Sequence, residues 1–343
     1  MIKTGNLVIL AVALVALLGV SLVQKNTHRS ATNQSSLTEL VAPGLVSDDL
    51  IRITLGFGDQ DEAVVLGNTP TGWTVDTAWQ AKASPPRIEA LVSSLAGLGG
   101  EYRSASADVL DDYGLGAGSA LRIRAFNPAG ETVVALDVGN KPEGAQGNFV
   151  RKPDSDKVYV SQTSLLSQVG IYGNPEAPAS RYFVDLQAVQ VDRLDVDRIV
   201  VTDGGQTLDL VKVLAEEPAA APDSLPTHDR NTWEWQLAGR SATALAKTKV
   251  DALLNTAVAI RANDLVDPGA DLATYGLAAP GRRLELHLQD TRVVTLNFGD
   301  SRAAAGQVPA GTFMQVDGER TVWVVTEYAM KNLFKTLAEL QPE

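Results

Sequence analysis

The chain has no cysteine in 343 residues. That excludes a disulfide framework, a thiolate nucleophile, a zinc ribbon, an iron–sulfur cluster and a lipidated N-terminal cysteine. Histidine is nearly as scarce: only His28, His228 and His287 occur. No two stand at metal-pair spacing, and no G-x-S-x-G elbow supplies a nucleophile for one to activate. Bases are outnumbered, with 29 Lys and Arg against 41 Asp and Glu, for a formal charge of −12. Lys3, Lys25 and Arg29 fall in an acid-free first thirty residues, so the remainder carries 26 − 41 = −15. Such a body repels phosphate backbones, and nucleic acid is not an expected partner. An apolar share of 45% with 20% charged residues is ordinary globular composition and excludes wholesale disorder.

What is present begins with residues 7–23, LVILAVALVALLGVSLV, a run without a charge. As a helix it measures roughly 26 Å, near the short end of a bilayer crossing. It is expected to be an uncleaved transmembrane signal anchor. A cleaved signal peptide is the alternative, with Gly19 and Ser21 as its best small-x-small pair. The six-residue leader and the large body behind it favour a cytoplasmic N-terminus and a body outside the membrane. In a bacterium this is a single-pass protein of the inner membrane with its bulk in the periplasm. Residues 1–25 are thus read as anchor, and the polar, Ser/Thr/Asn-rich 26–45 as a flexible stalk.

The body is written twice. Trp73 falls on Trp235 at an offset of 162, which also carries Ile88, Leu91, Val92, Leu95 and Leu98 onto Val250, Leu253, Leu254, Ala257 and Ile260. The same offset places Tyr113-Gly114-Leu115 on Tyr275-Gly276-Leu277. VVALDVGN (133–140) matches VVTLNFGD (293–300), and VYV (158–160) matches VWV (322–324). Ordered agreement of several blocks marks a tandem duplication. Residues 46–173 form the first repeat, 174–192 a linker and 193–343 the second repeat. The Pro/Ala-rich stretch 215–231 reads as a surface loop inserted in copy two.

Each copy opens with two strands, at 50–55 and 63–66 or at 198–202 and 207–213, and then the tryptophan strand. An amphipathic helix follows, N-capped in copy one by Ser84 before Pro85 and stopped by Gly99-Gly100. After the Tyr-Gly-Leu turn come strands at 121–125 and 132–138, or 284–288 and 293–298. They end in Gly139-Asn140 and Gly299-Asp300, read as turns. Further strands are expected near 149, 158–160, 313–316 and 322–325, with one closing helix bearing Met330, Leu333, Phe334 and Leu337. Hairpin-spaced strands with few helices predict an α+β fold: two tandem homologous domains, each a mainly antiparallel sheet with one or two packed amphipathic helices, behind a single N-terminal transmembrane helix.

This order of a Trp strand, a helix, Tyr-Gly-Leu, a Leu-x-[Val/Phe]-Gly strand and a Val-[Tyr/Trp]-Val strand resembles the bacterial family called domain of unknown function 4340. The resemblance covers about 48–340. Copy two keeps Pro280 after its Tyr-Gly-Leu, where copy one has Gly116-Ala117-Gly118. It implies membrane-anchored tandem copies acting outside the cytoplasmic membrane beside gliding-motility-type ABC transport components. It carries no catalytic residue onto this chain.

Chemistry-bearing residues are few. The Tyr-Gly-Leu turns read as packing devices in which glycine takes a positive φ. Gly114 to Gly118 has the glycines of a phosphate loop without its Lys-Ser/Thr ending. Asp108, Asp111 and Asp112, like Asp264, Asp267 and Asp271, precede the two turns and read as caps and solvated acids. Asp192, Asp195 and Asp197 lack the glycine and final glutamate of a calcium loop. No catalytic, cofactor-binding or metal-ligating residue is assigned. The structural signature is Trp73, Tyr113, Gly114, Leu115, Gly139, Trp235, Tyr275, Gly276, Leu277 and Gly299. The expected function is that of a non-enzymatic accessory protein or partner of a membrane transport complex. The alternatives are a glycan- or lipid-binding module using Trp73, Trp79, Trp233, Trp235 and Trp323, or a two-carboxylate glycan hydrolase.

Overall fold

The computed structural model describes residues 37–144, 146–214, 233–306 and 308–342. The expected anchor (7–23), most of the stalk, the inserted loop (215–231), His28 and His228 lie outside them. Among the described residues no helix is long and apolar enough to cross a membrane. The chain divides into two compact units, unit 1 ending at Val184 and unit 2 beginning at Asp185.

Unit 1 contains β1 (Leu37–Glu39), β2 (Arg52–Phe57), β3 (Gln60–Thr69), β4 (Gly72–Val75), β5 (Ala81–Lys82), helix α1 (Pro85–Leu95), β6 (Gly99–Ser104), β7 (Leu121–Phe126), β8 (Thr132–Val138), β9 (Phe149–Arg151) and β10 (Val158–Ser161). Two short helices close it, α2 (Leu165–Gln168) and α3 (Ser180–Phe183). Its ten strands lie in the order β1-β6-β10-β9-β8-β7-β2-β3-β4-β5, every pair antiparallel.

Unit 2 contains β11 (Val196–Asp203), β12 (Gln206–Leu214), β13 (Trp233–Leu237), helix α4 (Lys247–Val258), β14 (Asp264–Val266), β15 (Arg282–Leu288), β16 (Val293–Arg302), β17 (Gly311–Val316), β18 (Val322–Val325), α5 (Glu327–Leu333) and α6 (Leu337–Leu340). Its order, β13-β12-β11-β15-β16-β17-β18-β14, is that of unit 1 without β1 and β5. The duplication seen in the residues is therefore a duplication of topology.

Side chains alternate across each sheet, and residues paired in register share a face. On one face of unit 1 Leu121, Ile123 and Ala125 stand opposite Val138, Leu136 and Val134, all buried. With the buried α1 stripe Ile88, Leu91, Val92 and Leu95 they form the main interior. Unit 2 repeats this with Leu284, Leu286, Leu296 and Phe298 and with Val250, Leu253, Leu254 and Ala257. We call this the inner face and its opposite the outer face.

Several local expectations change. Ser84 is the N-cap of α1, but its side chain accepts no hydrogen bond there. The helix ends at Leu95, where Gly97 turns left-handed at φ 65°, so Gly99-Gly100 do not stop it. They open β6 instead, and a Cβ on Gly100 would come within 2.7 Å of the Tyr159 Cβ. Leu37–Glu39, expected in the stalk, pair with β6, and Leu40 and Val41 behind them are buried. The expected linker is shared out: α3 belongs to unit 1, while the Ala188 and Val189 amides bond to Ile260 in unit 2. The closing helix breaks at Phe334, which leaves helical geometry and meets Phe298 edge to face with ring centroids 5.0 Å apart.

Candidate functional site

The Tyr-Gly-Leu turns sit on the outer faces. Gly114 and Gly276 both adopt φ 68°, a conformation that costs glycine nothing. Leu115 N–H donates to Leu110 O at 2.8 Å and Leu277 N–H to Leu272 O at 2.9 Å. In unit 1 Leu115 packs with Val158 and Ala120, and Tyr113 meets Phe149 with ring centroids 4.3 Å apart. In unit 2 Tyr275 and Leu277 pack with Phe313, Val322 and Val324, the Tyr275 and Phe313 rings being 4.8 Å apart. The turn is a small apolar lid on the outer side of the sheet, opposite the helix. Burial and the neighbouring Asp267 push the Tyr275 hydroxyl above the usual phenol range.

Gly139 and Gly299 do not make turns. Gly299 lies inside β16, and Gly139 continues the ladder by donating to Phe149 O at 2.7 Å. A Cβ at either would collide with the carbonyl of Tyr113 or Tyr275. Their purpose is close approach: the lid backbone rests on a strand with no side chain beneath it. Asn140 N–H donates to that Tyr113 carbonyl at 2.8 Å.

Several of the acids have structural partners. Asp271 caps the turn before Tyr275 by accepting from Ala273 N–H at 3.0 Å, and Asp267 accepts from Gly269 N–H at 2.8 Å. Asp264 pairs with Arg302 at 2.7 Å. Asp192 accepts from Leu194 N–H at 2.8 Å. Asp108, Asp111 and Asp112 are exposed. Among the described residues no group of three or more His, Asp or Glu could hold a metal ion. His287 stands on β15 beside Glu285, 3.3 Å away.

Sequence reasoning passed over the outer-face ion cluster of unit 1. Asp137 is 5% exposed and accepts from Arg124 at 2.9 Å, with Arg151 at 3.1 Å. Arg122 clamps the β2–β3 turn through the Gly58 and Gln60 carbonyls, both at 2.8 Å. The register makes Glu285, Asn297 and Gln315 the unit 2 counterparts of Arg124, Asp137 and Arg151. There Arg283 donates to Asn297 at 3.2 Å. The cluster was missed because its members come from three strands and repeat poorly between copies.

The tryptophans divide. Trp73 and Trp235 are half-buried equivalents on the inner face, and Trp323 is buried with its Nε1 unpartnered among the described residues. Trp233 is half-buried under Lys212, whose Nζ lies 5.4 Å from the ring centre. Trp79 is 48% exposed on a turn with φ 55°. No tryptophan lines the cavity of about 280 Å³ in unit 2. That cavity is walled by the ends of β11, β12 and β13 and by Phe334–Leu337. Asp203, on the same face as the apolar lining, is held by Arg282 at 3.1 Å, whereas Asp209 turns its carboxylate to the outer face, where Arg198 holds it at 2.6 Å. The Arg198 hydrogen bonds keep Asp209 below the usual carboxylate range, unsuited to donate a proton at neutral pH.

Comparison with known families decides the relationship. A family profile described as Domain of unknown function (DUF4340) matches residues 73–232 and 235–342. The chain belongs to this family, in two tandem segments. The first matched segment starts at Trp73 and the second at Trp235, so the family period runs from tryptophan strand to tryptophan strand. It is out of phase with the compact units, since the first segment includes β11 and β12 of unit 2. No functionally curated protein and no solved structure matches the chain.

Proposed function

We propose that this DUF4340 protein is a non-catalytic accessory subunit of a membrane transport complex, of the ABC type that the family resemblance implies. Residues 7–23 would fix it in the bacterial cytoplasmic membrane, and its two repeats would face the periplasm. One observation carries the reading: the copies agree on their inner faces and turn lids and, apart from the equivalent Arg122 and Arg283, differ in the polar residues around Asp137 and Asn297 on their outer faces. Arg124, Asp137 and Arg151 in one become Glu285, Asn297 and Gln315 in the other. A duplicated enzyme is expected to keep polar residues in at least one matched constellation, whereas a pair of presentation scaffolds needs only its packing. Divergent surfaces on a common frame suit contact with two different partner surfaces. The test is to tag the full chain, solubilise it in mild detergent after cross-linking and identify what travels with it. Transporter ATPase or permease subunits are expected. Recovery of the protein alone, under conditions that keep other membrane complexes together, would overturn the reading.

A further inference from the structure

The sheet of unit 1 is closed at its β4 edge by β5, with Val75 opposite Ala81 and Thr74 opposite Lys82. Beyond that pair, Ala83 N–H donates to Trp73 O at 2.8 Å. Unit 2 has the equivalent strand, β13, but the chain after it turns back on itself, Thr243 N–H donating to Arg240 O at 3.0 Å. Among the described residues no strand pairs with the outer edge of β13. Ala238 N–H donates to Asp209 O at 2.9 Å, so Glu234 and Gln236 face β12 as well. Trp233 and Trp235 therefore direct their amides and carbonyls outward, as does the Leu237 amide, while the Leu237 carbonyl accepts from Arg240 N–H at 3.0 Å. Unpaired edge groups of this kind are a template for another strand, and unit 1 demonstrates that this edge accepts one.

The cavity lies at the end of the same strand, lined by Leu237, Ala238 and Arg240. Its acid Asp203 is neutralised by Arg282, while among the described residues its bases Arg240 and Lys335 make no ion pair within 4 Å, Glu339 acting on Lys335 only at longer range. In a body of formal charge −15 this is a local site for a carboxylate. We propose that the outer edge of β13 and this cavity bind an extended acidic segment of a partner protein, which adds a strand to the unit 2 sheet. Backbone bonds to Trp233, Trp235 and the Leu237 amide hold the segment, and a carboxylate placed beside Arg240 and Lys335 selects it. The existence of a partner rests on the accessory reading above; the edge and the cavity are properties of this chain.

The probe is a fluorescein-labelled eight-residue peptide of alternating Thr and Val around one central Asp, with analogues carrying Asn or Lys there. Fluorescence anisotropy against the full chain in mild detergent is expected to give about tenfold tighter binding for the Asp peptide than for the Lys peptide, a gap of about 1.4 kcal/mol. Arg240→Glu with Lys335→Glu inverts that order and leaves the melting temperature unchanged. Trp235→Pro removes an outward amide without touching the β12 ladder and abolishes binding of all three peptides. Hydrogen exchange at Trp235 and Leu237 is fast in the free chain and slows with the Asp peptide. Absent binding, binding indifferent to charge, or slow exchange in the free chain overturns the proposal, as does protection that appears only on self-association. Failure here alongside recovery of a transporter partner would sink this site and spare the accessory function. Peptide binding with no partner recovered would do the reverse.

Discussion

Asp137 and Asn297 occupy the same place in their two sheets, and only the first is charged. Each sits one residue before the inner-face position that precedes its lid-bearing glycine. Asp137 joins Arg124 and Arg151, whereas Asn297 accepts from Arg283. Duplication has preserved the frame and released the outer face.

Asp137→Asn is therefore expected to cost more than Asn297→Ala. Removing the carboxylate leaves two half-buried guanidinium groups facing each other, at a cost of about 2–4 kcal/mol. The loss of one exposed-side hydrogen bond at Asn297 costs about 1 kcal/mol. Urea unfolding followed by signals from each unit separates the two, since the units need not melt together.

Gly139→Ala and Gly299→Ala should each destabilise their own unit by about 1–3 kcal/mol, because the new methyl group meets the lid carbonyl. Gly118→Ala, where nothing lies within 4 Å, is the control and should be near neutral. Equal effects at all three positions would contradict the close-approach role.

The lid tyrosines should respond differently to losing a hydroxyl. Tyr275 donates to Asp267 O at 3.0 Å, so Tyr275→Phe costs about 1 kcal/mol. The Tyr113 ring packs on Phe149, and Tyr113→Phe, which keeps that contact, should be silent. Burial raises the Tyr275 pKa, so its folded form resists ionisation and unit 2 loses stability as pH climbs past about 10. Tyr275→Phe removes that alkaline loss.

At the acid end Asp209 is the group to follow. The Arg198 bonds lower its folded-state pKa below the unfolded one, so their contribution is present above about pH 4. It disappears as pH falls through the folded value. Asp209→Asn should flatten the acid limb of the unit 2 stability curve; an unchanged limb would show that the pair contributes nothing.

The helix stripes, the main strands and the tandem period could all be read from single residues. Ile88, Leu91, Val92 and Leu95 announce a buried face because helical spacing puts them together whatever lies opposite. Gly139 and Gly299 could be found but not understood. Glycine before Asn or Asp reads locally as a turn, and only the Tyr113 and Tyr275 carbonyls, more than twenty residues away, make it a point of contact. The candidate site was less visible still. Arg240 and Lys335 lie almost a hundred residues apart and become neighbours of one cavity only through the sheet and the chain after α5.

By itself the order of amino acids determined the interior: apolar spacing is a local property, and water drives such faces inward in any fold that can use them. The tertiary structure decided which sheet edges are closed and which polar groups meet. Unit 1 gains β1 and β5 from segments with little strand pattern of their own, while the same edge beside β13 is left without a described partner. Edge pairing depends on backbone groups that every residue carries, so no side-chain pattern reports it; the path of the chain does.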